Sequence, residues 1–289
     1  MSIIENLAEV ADQYDAVFCD LWGCLHNGIE AFPEADDALR GFRAKGGKVV
    51  LLTNAPRPRA EVAKQLVGFK VPEDCWDTIA TSGDSARSAM FRGVIGEKVW
   101  FMGQDHDTPF FEPIKVVDTP VNIERVPLKD ADGIACLGPF DPQADPAVNR
   151  PEFLYAKQKG LKLLCANPDI VVDRGEKREW CAGALAALYE EMGGESLYFG
   201  KPHPPIYDLA RRRLAELGPL PPDSRILAIG DGVLTDVRGA IGEDMDVLFI
   251  TGGLAAAETR TVRQPDPEAL EAYIAEIQMT PTYSIGFLR

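Results

Sequence analysis

Tyr14-Asp15-Ala16-Val17-Phe18-Cys19-Asp20-Leu21-Trp22-Gly23 decides the fold of this chain. The apolar run from Ala16 to Cys19 stops at a single carboxylate, Asp20, with Gly23 close behind. A run that is apolar throughout, rather than alternating, reads as a parallel strand covered on both faces. In open parallel sheets, ligands bind beyond the carboxyl ends of the strands, so a lone acid there faces the ligand side.

Working outward, the same texture recurs. Residues 48–53 carry Val49, Val50, Leu51 and Leu52 without interruption, and shorter strands are expected at 78–81, 196–199, 225–229 and 247–251. Helical patterns fall between them at 33–45, 57–67, 205–217, 233–241 and 266–277, with Pro33 suited to a first helical turn. From about residue 98 the texture changes. Strands at 99–102, 114–117, 133–137 and 161–166 alternate with loops rich in Asp and Pro, a helix at 151–159 and an alanine-rich helix at 177–192. The tail after Met279 reads as irregular. The simplest architecture is an α/β protein. A doubly wound, Rossmann-like parallel-sheet core is built from residues 1–81 and 193–289, with a second α/β domain inserted at 82–192.

Composition narrows the function. The 289 residues carry a formal charge of −15, which repels nucleic acid and anionic membrane. No run approaches the roughly 20 apolar residues of a membrane span, and the N-terminus lacks the features of a signal peptide. The six cysteines form no CxxC pair and suit small buried side chains in a reducing compartment. A cytoplasmic location is the expectation.

Four segments at the ends of these strands carry chemistry. They are Asp20, Thr53-Asn54, Gly200-Lys201-Pro202 and Gly230-Asp231-Gly232, the last followed by Asp236. A carboxylate such as Asp20 can attack phosphorus and form an aspartyl phosphate, splitting one hard step into two. Two carboxylates facing a phosphate dianion need a cation between them. Mg²⁺ suits this, since it uses one or two carboxylates plus substrate phosphate. Asp20 and Asp231 are the ligand candidates, with the backbone carbonyl of Trp22 as a third. Asp236 either supports a metal-bound water or Lys201, or only caps its helix. Thr53 would offer its hydroxyl and Asn54 its N–H to the phosphate, and Lys201 would neutralise developing charge.

Taken together, these segments resemble the four motifs of the haloacid dehalogenase (HAD) superfamily of phosphohydrolases. The insert lies between the second and third motifs, as in subfamily IIA members with a C2-type cap. Asn167-Pro168-Asp169, Cys181-Ala182-Gly183-Ala184 and Gly200-Lys201-Pro202-His203-Pro204 are similar to segments of NagD-like sugar phosphatases and pyridoxal phosphate phosphatases. The resemblance implies Mg²⁺-dependent hydrolysis of a small phosphorylated metabolite, with Asp20 as nucleophile. It also implies a cap that selects the substrate, with Asn167, Asp169, Cys181 and Gly183 near it, and it leaves a homodimer open.

One position departs from the family. Its phosphatases carry a second aspartate two residues after the nucleophile as general acid and base, an effect worth about 10²–10⁴ in rate. Here Trp22 stands there. Either His26 substitutes, or the substrate has a leaving group that needs no acid, or the chemistry differs. The last class contains C–P or C–halogen cleavage, and ligand binding with weak or lost turnover.

Overall fold

The apolar runs become strands in the computed structural model, which describes residues 1–113, 117–174 and 177–289. In chain order these are β1 (Ser2–Ile3), β2 (Ala16–Cys19), β3 (Lys48–Thr53), β4 (Thr78–Thr81), β5 (Lys98–Met102), β6 (Glu124–Arg125) and β7 (Gly133–Cys136). They continue as β8 (Lys162–Cys165), β9 (Val171–Arg174), β10 (Lys177–Trp180), β11 (Glu195–Tyr198), β12 (Ile226–Gly230), β13 (Asp246–Ile250) and β14 (Tyr283–Ile285). The chain divides into two compact units. One comprises Met1–Thr53, Ala63–Ala80 and Tyr207–Arg289, and the other Asn54–Val62 and Thr81–Ile206.

The first unit is built on a seven-stranded sheet in the order β1-β14-β13-β12-β2-β3-β4. β2 lies between β12 and β3, parallel to both, and its side chains are excluded from solvent. Each buried Val, Leu or Phe of such a strand contributes roughly 1.5–3 kcal/mol, which is why the uninterrupted apolar run specifies this position. From β2 the chain winds one way through β3 and β4. It later returns on the other side through β12, β13 and β14. The winding therefore reverses between β2 and β12, the crevice where open α/β sheets bind ligands.

One helix of this unit, Pro33–Ala44, buries a carboxyl, Asp36, beside Cys75. Burial pushes Asp36 up to about 6, above the ordinary 3.8. The folded state then holds a proton that the unfolded chain releases. Its stabilising effect is complete below about pH 4 and is lost as pH rises through about 6. Asp36→Asn is expected to match the parent in stability near pH 4. Near pH 7.5 it should exceed the parent by on the order of 2–3 kcal/mol. Denaturant melts at the two pH values measure the difference.

In the second unit a five-stranded sheet has the order β11-β8-β7-β5-β6, and β9 and β10 form an antiparallel pair. Leu185 and Tyr189 of helix Ala182–Glu191 pack with Phe153 and Leu163 on one side of the sheet. Met90, Phe110 and Leu164 belong to a second cluster.

Three elements differ from their sequence reading. Residues 177–192 are not one helix: Lys177–Trp180 pairs with Val171–Arg174 as β10, and the helix starts only after Cys181, which is extended. Ladder pairing overrides local helix propensity there. The strand expected at 196–199 is β11, and it pairs with β8 in the five-stranded sheet rather than with the first. The tail holds β14, inserted between β1 and β13, because three residues give no periodic signal but gain two ladders. The strand expected at 114–117 falls largely on residues 114–116, outside the described residues.

Candidate active site

Asp20 directly follows β2, and its N–H still joins the ladder by donating to the Ile229 carbonyl at 2.8 Å. Asp231 directly follows β12, the neighbouring strand. Two carboxylates over 200 positions apart in the chain thus meet at the switch point, both buried. Their ligand oxygens and the Cys24 sulfur all lie within 4.8 Å of one another. Asp231 is seated by its surroundings. Its Oδ2 accepts the Leu254 N–H at 3.0 Å. Two glycines leave it room: a Cβ on Gly253 would stand 2.0 Å from Asp231 Oδ2, and one on Gly23 2.2 Å from the same atom. Gly23 also has φ +72°, which favours glycine.

The donor set fits Mg²⁺. Two convergent carboxylates give a hard cation oxygen ligands and leave coordination positions for water and a phosphate oxygen. Cys24 is fully buried, and burial, then the charges of Asp231 and Asp20, push its thiol well above the ordinary value. Thr53 closes β3, on the other side of β2 from β12, and is buried. Asp236 is buried on the turn after β12, where its Oδ2 accepts the Gly232 N–H at 3.1 Å. It therefore caps this turn, whatever else it does.

The loop after Asp20 explains Trp22 and His26. Gly28, at φ +82°, lies against the indole, and a Cβ there would stand 2.3 Å from Trp22 Cη2. His26 meets the same indole edge-on at 5.2 Å and Phe69 at 4.7 Å between ring centres. Its Nδ1 accepts the Gly28 N–H at 3.0 Å. Burial pushes His26 down to about 4, so at neutral pH it is an uncharged acceptor that orders this loop. An uncharged imidazole is a poor proton donor, so the structure disfavours the expectation that His26 replaces the missing acid.

The remaining candidates gather within the second unit. The Asn54 side chain treats Lys201 as a strand partner: Oδ1 accepts the Lys201 N–H at 2.7 Å and Nδ2 donates to its carbonyl at 3.1 Å. Nδ2 also donates to Asp169 Oδ1 at 2.8 Å. Asp169 is in turn fixed by its N–H to Asn167 Oδ1. Gly183 donates to the Asp169 carbonyl, and a Cβ on Gly183 would lie 2.1 Å from the Pro168 oxygen. The buried Cys181 thiol is pushed up by burial and then by Asp169. Asn54, Asn167, Asp169, Cys181, Gly183 and Lys201 thus form one neighbourhood, and the Asn54 side chain acts as a clamp on the Lys201 peptide. Asn54→Ala leaves that buried peptide short of two partners. A loss of about 2–4 kcal/mol is expected, read as a lowered denaturation midpoint.

Known proteins resemble this chain over most of its length. A solved hydrolase of the haloacid dehalogenase-like family from Brucella suis has a TM-score of 0.86 and 37% identity, covering 99% of this chain and 100% of its own. This chain belongs to the haloacid dehalogenase-like hydrolase family. Residues 17–115 match that family's own model, and residues 198–277 match a HAD-hydrolase-like one. The 5'-nucleotidase YutF of Bacillus subtilis is 24% identical over 86% of this chain and 91% of its own length. The ribonucleotide monophosphatase NagD of Escherichia coli is 24% identical over 91% and 98%. The sequence of this HAD-like hydrolase assigned no role to two residues beside the carboxylates, Cys24 and Gly253. Gly253 had a signal, as part of a glycine pair closing an apolar strand. Cys24 had none, since four residues after Asp20 on a loop gives no predictable direction.

Proposed function

We propose that this HAD-like hydrolase is a phosphatase of a small phosphorylated metabolite, working through an aspartyl phosphate on Asp20. The observation carrying the reading is the pair of buried carboxylates, Asp20 and Asp231, meeting at the switch point of the sheet. By their names YutF is a 5'-nucleotidase and NagD a ribonucleotide monophosphatase, which makes a nucleoside or sugar phosphate the first class to test. Residues 82–192 serve as the substrate-selecting cap in this reading, with Asn167 and Asp169 beside the organic part.

The roles follow from the side chains. Asp20 attacks phosphorus, the ester P–O bond breaks, and the alkoxide departs, taking a proton from solvent to become the alcohol. Water then cleaves the acyl phosphate to give inorganic phosphate and free Asp20. Asp20, Asp231 and the Trp22 carbonyl hold Mg²⁺, which when bound neutralises the phosphate charge against the two carboxylates. Thr53 and the Asn54 N–H bind phosphate oxygens. Lys201 supplies a cation to the developing charge, its backbone held by Asn54. Asp236 keeps the turn bearing Asp231 in place. All six cysteines are buried, as suits small side chains in a reducing cytoplasm, and among the described residues no helix is long and apolar enough to cross a membrane.

Trp22 favours a second reading, because its indole stands where an acid is needed and packs on Gly28 and His26. His26, held uncharged by burial, is a poor replacement donor, so substrates with good leaving groups, such as acyl or aryl phosphates, are favoured. In the extreme case, binding without turnover remains. The deciding experiment measures phosphate release with Mg²⁺ from nucleotides, sugar phosphates, pyridoxal phosphate, acyl phosphates and an aryl phosphate, beside Asp20→Asn. Release that vanishes in the variant supports the phosphatase. Calorimetric binding with no release from any compound supports the second reading.

A further inference from the structure

We propose that Cys24 makes the Asp20–Asp231 site a trap for thiophilic divalent cations, so that Zn²⁺ or Cd²⁺ binds there through sulfur and displaces Mg²⁺, switching the enzyme off. This rests on the assignment of Mg²⁺ to Asp20 and Asp231.

Three ligand atoms of two kinds converge: one oxygen each from Asp20 and Asp231, and Sγ of Cys24, all within 4.8 Å of one another and all on buried residues. Mg²⁺ demands oxygen ligands and has no use for sulfur. Zn²⁺ is bound tetrahedrally by mixed sulfur and oxygen sets, with bonds of about 2.3 Å to sulfur and 2.0–2.2 Å to oxygen. Those bonds place ligand atoms roughly 3.3–3.6 Å apart, so the observed trio needs only a modest closing movement. Three protein ligands and one open position is the pattern of accessible zinc sites.

The surroundings favour this geometry. Asp231 is braced by the Leu254 N–H and by the close backbone of Gly23 and Gly253, so it cannot easily swing away. Cys24 follows Gly23 directly, and the turn is fixed by the Gly23 N–H donating to the His26 carbonyl at 3.0 Å. The other buried cysteines belong to no such group: among the described residues, this is the one cluster of three His, Cys, Asp or Glu ligand atoms that close together. Coordination transfers the thiol proton to solvent, leaving sulfur as thiolate on the metal. No oxidant is involved.

The test uses the full chain, reduced and metal-free. Cd²⁺ is titrated while the ultraviolet thiolate-to-cadmium absorption is followed, and Mg²⁺ is then added in excess. The wild-type protein is expected to develop the band, and Mg²⁺ is expected to suppress it. In Cys24→Ser the band from this site is lost, and the Zn²⁺ concentration that halves Mg²⁺-supported activity, relative to each protein's own rate, rises at least about tenfold. A band that survives Cys24→Ser, or one that Mg²⁺ leaves untouched while Mg²⁺ still activates the enzyme, overturns the proposal. If Cys24→Ser fails to fold, the Mg²⁺ competition on unaltered protein decides alone. Absence of any Mg²⁺ activation is a different result: it counts against the magnesium site itself.

Discussion

Asp20→Asn loses phosphate release by at least about a thousandfold at saturating Mg²⁺ while the folded protein becomes no less stable. The two halves of this expectation have one physical origin. The amide has the shape of the carboxylate but no charge and little nucleophilicity, so no aspartyl phosphate forms. It also removes one of two negative charges buried within 4.8 Å of each other. Two like charges at that range repel each other, and burial strengthens the repulsion. Without Mg²⁺ the variant should therefore melt at or above the parent temperature, the signature of a site whose function costs stability. Adding Mg²⁺ should stabilise the parent more than the variant, since a ligand of the cation is gone. Calorimetric melts with and without Mg²⁺, run beside the phosphate assay, read both. Turnover that survives the substitution removes Asp20 from the chemistry.

Gly253→Ala is expected to be nearly as damaging, although residue 253 carries no functional group. Its Cβ would stand 2.0 Å from Asp231 Oδ2 and 2.6 Å from both Cβ and Cγ of that residue. The whole Asp231 side chain must turn aside, giving up the bond from the Leu254 N–H at 3.0 Å. A displacement of 1 Å at a catalytic group costs on the order of a hundredfold in rate. The Mg²⁺ concentration for half-maximal activity should rise at least about tenfold, as for loss of an outer partner of a metal ligand. Gly41→Ala is the control. Gly41 lies in helix Pro33–Ala44, and its Cβ would meet nothing within 4 Å, so it should gain about 0.5–1 kcal/mol and keep full activity. If Gly253→Ala titrates with Mg²⁺ as the parent does, Asp231 is not the ligand assigned here.

His26 and Trp22 show how a sequence position can mislead about chemistry. By spacing, His26 is the available proton carrier near Asp20. In the fold it is closed off among Trp22, Phe69 and Gly28 and held uncharged by burial. Titration needs solvent or a charge partner, and neither property is visible in the order of residues. The same limit applied to Lys201. Its place after an apolar strand was legible, but the strand belongs to the five-stranded sheet, and the Asn54 clamp spans 147 residues of chain.

The sequence by itself determined which segments are buried parallel strands, because uninterrupted apolar runs such as 16–19 and 49–52 can be satisfied only inside a sheet covered on both faces. It also determined that Asp20, Thr53 and Asp231 stand at strand ends, since each terminates such a run. Tertiary structure alone decided that β2 and β12 are neighbours, that Cys24 turns toward both carboxylates, that β11 joins the second sheet, and that residues 283–285 complete the first. The reason lies in range. Burial preference is written into each run locally. Strand order and loop direction are set by ladders and close packing between residues up to 281 positions apart, as for Ser2 and Tyr283, and no single segment carries that information.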